Sequence, residues 1–327
     1  MKALQIVKYG DIKDSLAFNE VSKPTVQATD VLIEVKAAAI NPIDKLIILG
    51  NLQGMLPIPF PSTIAYDVSG IVVDKGDEVR NFEIGDLVYS RVPQEQMGTI
   101  AEFVAVTSVA VSKKPGNISF EEAASLPLAG LTALQSLEYA EIKENDKILI
   151  HAGSGGVGSL AIQYAKAKGA YVYTTTSTNN VKWVKELGAD RVIDYKTEDY
   201  KTIVKDADIV FDTLGQEYTL EAFQVIKQGG KVVSVIGALD EETAKMFGMA
   251  DYKLSEELAK LISAKDAMYK YIFMQPNGAH LAEIKSLVED EKIKPIIDKI
   301  YSFSKSVDAF THLASGRAKG KIVIKIN

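Results

Sequence analysis

The chain has 327 residues, 24% of them charged and 47% hydrophobic, with a formal net charge of −6 and no cysteine. That length suggests two domains at about 150 residues each, both able to bury a core. The missing cysteines exclude thiolate catalysis, disulfides and cysteine-bound zinc, and the acidic balance without a basic block argues against nucleic acid as a main partner. No apolar run approaches the roughly 18 residues of a membrane span, so no membrane partner is expected. The opening MKALQIVKYG alternates like a strand and does not resemble a signal peptide, which makes a cytoplasmic enzyme the default expectation.

Four strand-like runs come first, VLIEVKAAAI (31–40), TIAYDVSGIVV (63–73), DLVYSRV (86–92) and IAEFVAVTSVAV (100–111). Pro and Gly clusters separate them and helical periodicity is almost absent, so the first 120 or so residues read as an all-β module. Ser119 and Glu122 form a capping box before the apolar run AASLPLAGLTALQSL, which places the seam to a second domain nearby. From there strands and helices alternate. Lys147–His151 is a short apolar strand, a glycine turn follows, and Val157, Leu160, Ala161, Tyr164 and Ala165 mark one face of a helix. A second strand precedes the helical stripe Val181, Val184, Leu187, stopped by Gly188, and RVIDY (191–195) reads as a third strand. Asp208–Phe211 and Lys231–Ile236 are the next buried strands, with an amphipathic stretch over Tyr218–Ile226 between them. This alternation predicts an α/β domain with a parallel, doubly wound sheet. Residues 239–266 form a charged helical insertion, and YKYIFM (269–274) is a sixth strand. Leu281, Ile284, Leu287 and Val288 follow as a helix, and Ile322, Ile324 and Ile326 alternate in a last strand. With no partners of its own, that strand is expected to return to the first domain.

The glycine turn carries the chemistry. Gly153, Gly155 and Gly158 have the G-x-G-x-x-G spacing directly after a strand, within the run Gly153, Ser154, Gly155, Gly156, Val157, Gly158 that opens a helix. The first glycine allows a tight turn, the second lets a pyrophosphate approach the backbone, and the third lets helix and strand pack closely, with the helix N-terminus facing the phosphates. A dinucleotide cofactor is the inference. NAD sites place an acid about 20 residues past the glycines, but TTTSTNN (174–180) has none before Glu186. Thr176, Ser177 and Asn180 can donate hydrogen bonds to a 2′-phosphate and Lys182 can add charge, so NADPH is expected, although no Arg stands ready to clamp the phosphate.

Several strings resemble the zinc-independent medium-chain dehydrogenase/reductases of the quinone oxidoreductase type. They are AAAINPID (37–44), AYDVSGIVV (65–73), FEIGDLVY (82–89), AASLPLAGLTA (123–133), HAGSGGVG (151–158), LGADRVIDY (187–195) and GKIVIKI (320–326), within a similarity that runs from Met1 to Asn327. The resemblance implies a GroES-like catalytic β domain from residues 1–122 with 278–327, a Rossmann domain over 123–277, and an active site in the cleft separating the two. The catalytic-zinc ligand positions of related alcohol dehydrogenases fall on Asn41, Tyr66 and Leu128, so no metal is expected and alcohol oxidation loses its Lewis acid. Reduction of a quinone or an α,β-unsaturated carbonyl remains, with an enoyl thioester reductase or a cofactor-binding protein without turnover as alternatives.

By the same resemblance Asn41 sits beside the nicotinamide ring, against its plain reading as an Asn-Pro turn residue. Asp44 orients Asn41 or lines the pocket, or else satisfies backbone donors at a helix start. Tyr66 is the candidate hydrogen-bond donor to the acceptor oxygen, or else a packed strand residue. Thr132 matches the position near the nicotinamide, and Tyr195 the family tyrosine of the adenosine phosphate pocket. Leu52 stands where many relatives carry a tyrosine, which lowers the thioester reading, leaves the proton source open with bulk water able to serve, and makes 45–61 an apolar wall for a small hydrophobic acceptor. His151 is expected to be structural and backbone-bonded, His280 and His312 lie in predicted helices, and Trp183 reads as packing. YIFMQP (271–276), at the expected sheet edge, predicts a homodimer.

Overall fold

The computed structural model describes residues 1–326, which fall into two compact units. The first comprises Met1–Leu131, Gln275–Glu291 and the chain from Pro295 on; the second comprises Thr132–Met274 and Lys292–Lys294.

The first unit opens with β1 (Lys2–Ile6), α1 (Ile12–Ser15), β2 (Leu16–Glu20), β3 (Asp30–Ile40) and α2 (Pro42–Ile48). It continues with β4 (Ser62–Thr63), β5 (Asp67–Lys75), β6 (Leu87–Arg91), β7 (Phe103–Thr107), β8 (Val111–Lys113) and α3 (Phe120–Ala124), and α4 (Pro127–Tyr139) leads out of it. β1 pairs with β2 and β4 in a small antiparallel sheet, and β3 is the hub of a larger one, pairing with β5 and β7. The inward alternation of β3 changes phase partway along. Ile33 and Val35 enter the main core, but Ala38 and Ile40 do so further on, because a register shift between Val35 and Ala37 inserts an extra residue. Ala37 and Ala39 therefore face the other side, where with Ala124 of α3 they form a second cluster; side chains this small let the helix lie close to the sheet.

Two expected strands are broken. TIAYDVSGIVV is continuous in hydrophobicity, yet Ile64–Tyr66 leave the ladder, and Ala65 takes φ 79°. Ile64 N–H donates to Leu4 O and its carbonyl accepts from Ile100 N–H, so this segment belongs to the small sheet and β5 to the large one. The run 100–111 likewise splits into β7 and β8 around a turn at Ser108–Ala110. Two short helices, α1 and α2, interrupt the module that sequence alone presents as all β. Ser119 caps α3 as expected, its hydroxyl accepting from Glu122 N–H at 3.1 Å while Glu122 Oε2 accepts from Ser119 N–H at 2.8 Å.

In the second unit the order is β9 (Lys147–Ile150), α5 (Gly156–Ala167), β10 (Tyr171–Thr176), α6 (Val181–Glu186), β11 (Arg191–Asp194), α7 (Tyr200–Ile203), β12 (Ala207–Asp212) and α8 (Glu217–Val225). Then come β13 (Ile226–Ser234), α9 (Glu241–Met246), α10 (Glu256–Lys265) and β14 (Met268–Tyr271). All six strands run parallel in the order β11-β10-β9-β12-β13-β14, so the winding reverses between β9 and β12, where open α/β sheets bind ligands beyond their carboxyl ends. The insertion at 239–266 is two helices, α9 and α10, capped by Asp240 and Ser255. The sixth strand is shorter than predicted and ends at Tyr271, although Ile272 N–H still reaches Ser234 O at 2.8 Å.

The chain then adds α11 (Gly278–Glu289), β15 (Ile297–Ser302), α12 (Ser306–Ala314) and β16 (Lys321–Lys325) to the first unit. β16 pairs antiparallel with β3, Ile322 opposite Ile40, on the side of β3 away from β5.

Candidate active site

The register around β3 gathers a buried polar cluster. β3 ends at Ile40, with Ile322 of β16 opposite Ile40 and Asp67 of β5 opposite Ala39, so Lys321, Asn41 and Asp67 meet at one end of three adjacent strands. Lys321 Nζ donates to Asn41 Oδ1 and, at 3.0 Å, to Asp67 Oδ2. Asn41 Nδ2 donates to the same Asp67 oxygen at 2.9 Å, and Asp67 Oδ1 accepts from Leu128 N–H at 2.8 Å. Lys321 is only 5% exposed and Asp67 not at all. Such a pair persists away from water only because each charge faces the other and the remaining positions are hydrogen-bonded.

Asp44 lies beside this group, fully buried on the first turn of α2. Its Oδ2 accepts from Asn41 N–H at 2.7 Å, a bond to a backbone donor at the start of a helix. Its Oδ1 has no hydrogen-bond partner among the described residues. Burial, with the Asp67 charge as a smaller contribution, pushes the Asp44 carboxyl up to about 7, against the pull of the Asn41 amide and of Lys321 and Arg91. Tyr66 is also buried. Its hydroxyl donates to Gln94 Oε1 at 2.6 Å, and the Arg91 guanidinium lies 4.6 Å from its ring centroid. Burial first, then the Asp44 charge, raises the Tyr66 phenol well above its ordinary value. Arg91 donates from Nη1 to Val92 O at 3.0 Å, while its Nε is buried without a partner. Asn41, Asp44 and Tyr66 are thus brought into one neighbourhood. Asp67, Arg91, Gln94 and Lys321 belong to it too and were not singled out from sequence. A signal existed for two of them: Arg91 and Lys321 are charged residues in or opening apolar strand runs, and a buried charge requires a partner.

The second unit supplies a different kind of site. Ala152 N–H donates to Thr175 Oγ1 at 3.2 Å and Gly153 N–H to Thr175 O at 2.9 Å, pinning the turn after β9 to β10. A Cβ on Gly153 would come within 2.2 Å of Thr174 Oγ1, and one on Gly158 within 2.3 Å of Ala152 O, so close packing demands glycine at both. Gly155 precedes α5, and Ser154, Gly156 and Val157 are partly exposed around the helix start, so backbone amides are open to an anion. These features fit a dinucleotide pyrophosphate. At the end of β10, Thr176 Oγ1 is buried without a partner, Ser177 Oγ accepts from Asn180 Nδ2 at 3.1 Å, and Asn180 Oδ1 accepts from Trp183 Nε1 at 3.1 Å. Tyr195 is exposed and its N–H donates to Thr176 O, so it joins Thr176, Ser177 and Asn180, whereas Lys182 is an exposed side chain of α6 with no bond to the group. Thr132 is buried inside α4.

His151 is fully buried, with Nδ1 3.3 Å from Thr175 Oγ1 and its ring edge-on to Tyr200 and Tyr218. The expected backbone bond is replaced by a hydroxyl on the neighbouring strand, because at the tip of β9 the ring reaches β10. Burial lowers its pKa to about 4, so it stays neutral and takes no general acid/base role near neutral pH. Trp183 combines packing with its bond to Asn180. Leu52 packs partly buried against the first unit's core, while Phe60 and Leu49 remain exposed.

Two family models match this chain: the alcohol dehydrogenase GroES-like domain over residues 27–116 and the zinc-binding dehydrogenase over 187–324. The second description names zinc; of the positions that the resemblance sets against zinc ligands, Asn41 bonds Lys321 and Asp67, and Tyr66 bonds Gln94. The 2-methylene-furan-3-one reductase of Solanum lycopersicum is 36% identical over 334 residues, covering 99% of this chain and 79% of that protein. The chloroplastic NADPH-dependent alkenal/one oxidoreductase of Arabidopsis thaliana is 34% identical at the same coverage. Among solved structures, the quinone oxidoreductase from Coxiella burnetii superposes with a TM-score of 0.88 at 34% identity, over 100% of this chain and 99% of that one.

Proposed function

The chain belongs to the zinc-independent medium-chain dehydrogenase/reductases of the quinone oxidoreductase type, and we propose that it is an NADPH-dependent reductase of quinones or α,β-unsaturated carbonyls. Its first unit is the GroES-like β domain and its second the Rossmann-type parallel sheet. The observation that carries the cofactor is the pinned glycine turn before α5, followed by a β10 end without a carboxylate.

NADPH, when bound, supplies hydride. The amides of Ser154 and of Gly156 and Val157 in the first turn of α5 would hold its pyrophosphate, and Thr176, Ser177 and Asn180, with Lys182 and Tyr195 nearby, would receive its 2′-phosphate. The family resemblance assigns Thr132 and Asn41 to its nicotinamide end. On gaining hydride at carbon or oxygen, the acceptor becomes an enolate or a quinol anion, and water donates the proton that completes the reduction. Asn41 has one Nδ2 hydrogen uncommitted among the described residues and can donate it to a developing oxyanion. Tyr66 would have to give up its bond to Gln94 to do the same. The test is a panel of quinones, enals and enoyl thioesters assayed with NADPH and with NADH. Oxidation of NADPH by quinones or enals is expected, and turnover confined to thioesters would overturn the acceptor class.

A homodimer is part of this reading. β14 is an edge strand of the sheet and ends at Tyr271, whose N–H and C=O are taken by Asp240 at 2.9 Å and Thr243 at 3.2 Å; Ile272 and Phe273 beyond it are partly exposed, and pairing with a copy would fall on that stretch. Sedimentation at working concentration should give twice the chain mass.

A further inference from the structure

We infer that Lys321 and Asp67 act as positioning residues, a charged clamp that fixes which way the Asn41 amide faces and so readies its second Nδ2 hydrogen for the acceptor or the nicotinamide; the catalytic use of that hydrogen rests on the functional reading above. An Asn amide has a donor end and an acceptor end of nearly identical shape, and a site that needs the donor must prevent the flip. Here the carbonyl oxygen meets an ammonium, and the amino group meets a carboxylate oxygen shared with that same ammonium. Flipping would set acceptor against acceptor at Asp67 and donor against donor at Lys321. Asp67 is anchored in turn by Leu128 N–H, and Asp44 holds the Asn41 backbone, so neither the amide's base nor its partners are free to follow a flip. The four groups come from positions 41, 67, 128 and 321, the Asn41, Asp67 and Lys321 side chains are buried, and an apolar strand end would not require a lysine there.

A double-mutant cycle tests the clamp, since a residue that acts only through Asn41 has nothing left to act on once that amide is gone. Lys321→Met should lower kcat roughly 10- to 100-fold, with acceptor KM and the NADPH dissociation constant, read from bound-cofactor fluorescence, each moving less than about threefold. Lys321→Arg should recover most of the loss, and in an Asn41→Ala background Lys321→Met should change kcat less than about threefold. Equal losses in both backgrounds would overturn the proposal. A readout independent of turnover is solvent exchange of the Asn41 Nδ2 hydrogens, observed by NMR in 15N-asparagine-labelled protein and assigned by their loss in Asn41→Ala. One hydrogen should exchange at least tenfold faster in Lys321→Met, and unchanged exchange would overturn the clamp even if the enzyme reduces quinones. Conversely, the expected exchange without NADPH oxidation by the unmodified protein would sink the functional reading and leave the clamp standing. Should Lys321→Met not fold, Asp67→Asn/Lys321→Met removes both charges together and runs the same cycle.

Discussion

Asp67 in the first unit and Asp212 in the second are both wholly buried carboxylates at strand ends, and they are held in opposite ways. Asp67 faces an ammonium 254 residues away in sequence, an amide and one backbone N–H. Asp212 meets no cation among the described residues. It accepts from Leu214 N–H at 2.9 Å, Gly215 N–H at 2.8 Å, Thr219 Oγ1 at 2.6 Å and Ser234 Oγ at 2.8 Å. One charge is cancelled by another charge; the other is spread over the dipoles of the loop after β12, of α8 and of the end of β13. Both solutions avoid an unpaired buried charge, but they differ in what a neutral replacement can keep.

The same substitution at each position exposes that difference. In Asp67→Asn the new amino group would confront either Lys321 Nζ and Asn41 Nδ2 or, the other way round, Leu128 N–H, and in both orientations Lys321 loses its counter-charge, so a buried cation is stranded at a cost of about 3–5 kcal/mol. In Asp212→Asn the remaining carbonyl can keep the loop amides while the Thr219 and Ser234 hydroxyls turn to accept, and the cost should be nearer 1–3 kcal/mol. Urea unfolding of the two variants measures both. An equal or larger loss at Asp212 would break the distinction between cation-paired and dipole-solvated carboxylates.

The two units should also respond to pH in opposite directions. Asp44, raised by burial to about 7, keeps its proton in the folded state where the unfolded chain has lost it. Its contribution to stability is full below the unfolded value of about 4 and is lost as pH rises toward 7. His151, lowered by burial to about 4, stays neutral where the unfolded chain is protonated, so its contribution is full above about 6.5 and is lost as pH falls. Between about pH 4.5 and 6.5 the two oppose each other, each by at most about 1.4 kcal/mol per pH unit. Removing one uncovers the other: stability of Asp44→Asn should climb with pH across this window, and that of His151→Gln should decline. Two variants sharing the unmodified protein's profile would show that neither group titrates as its burial dictates.

The second unit was the more legible in sequence because its signals are local. The turn glycines, the stripe from Val157 to Ala165 and the strand–helix alternation all act within a dozen residues, and the missing acid after β10 is read from seven consecutive positions. The first unit hides its logic in register. The break at Ile64–Tyr66 is decided by bonds to Leu4 and Ile100, not by any breaker in an apolar run, and the residues around Asn41 meet only because β3 lies between β5 and β16. Asn41, Asp44 and Tyr66 came from motif resemblance. Asp67 and Lys321 stood inside the matching strings AYDVSGIVV and GKIVIKI but could not be paired without strand order.

At the end of β10 polar recognition rests on hydroxyls and amides without a salt bridge, so specificity there should be easier to redirect than the Asn41 cluster. Ser177 Oγ already accepts from Asn180 Nδ2, which leaves its hydrogen available for a 2′-phosphate. Ser177→Asp keeps an acceptor for Asn180, so the local fold should survive, while the hydroxyl donor is lost and a carboxylate faces the phosphate. Losing one charge-assisted hydrogen bond costs about 1.5–3 kcal/mol, and like-charge repulsion adds to it. The same carboxylate can accept from the free ribose hydroxyls of NADH. The NADPH preference, measured as the ratio of kcat/KM for the two cofactors with one quinone, should fall by roughly one to two orders of magnitude. A ratio that does not move, in a protein that still folds, would mean that Ser177 does not meet the 2′-phosphate and that the Thr176, Asn180 and Tyr195 side of the strand end carries the preference.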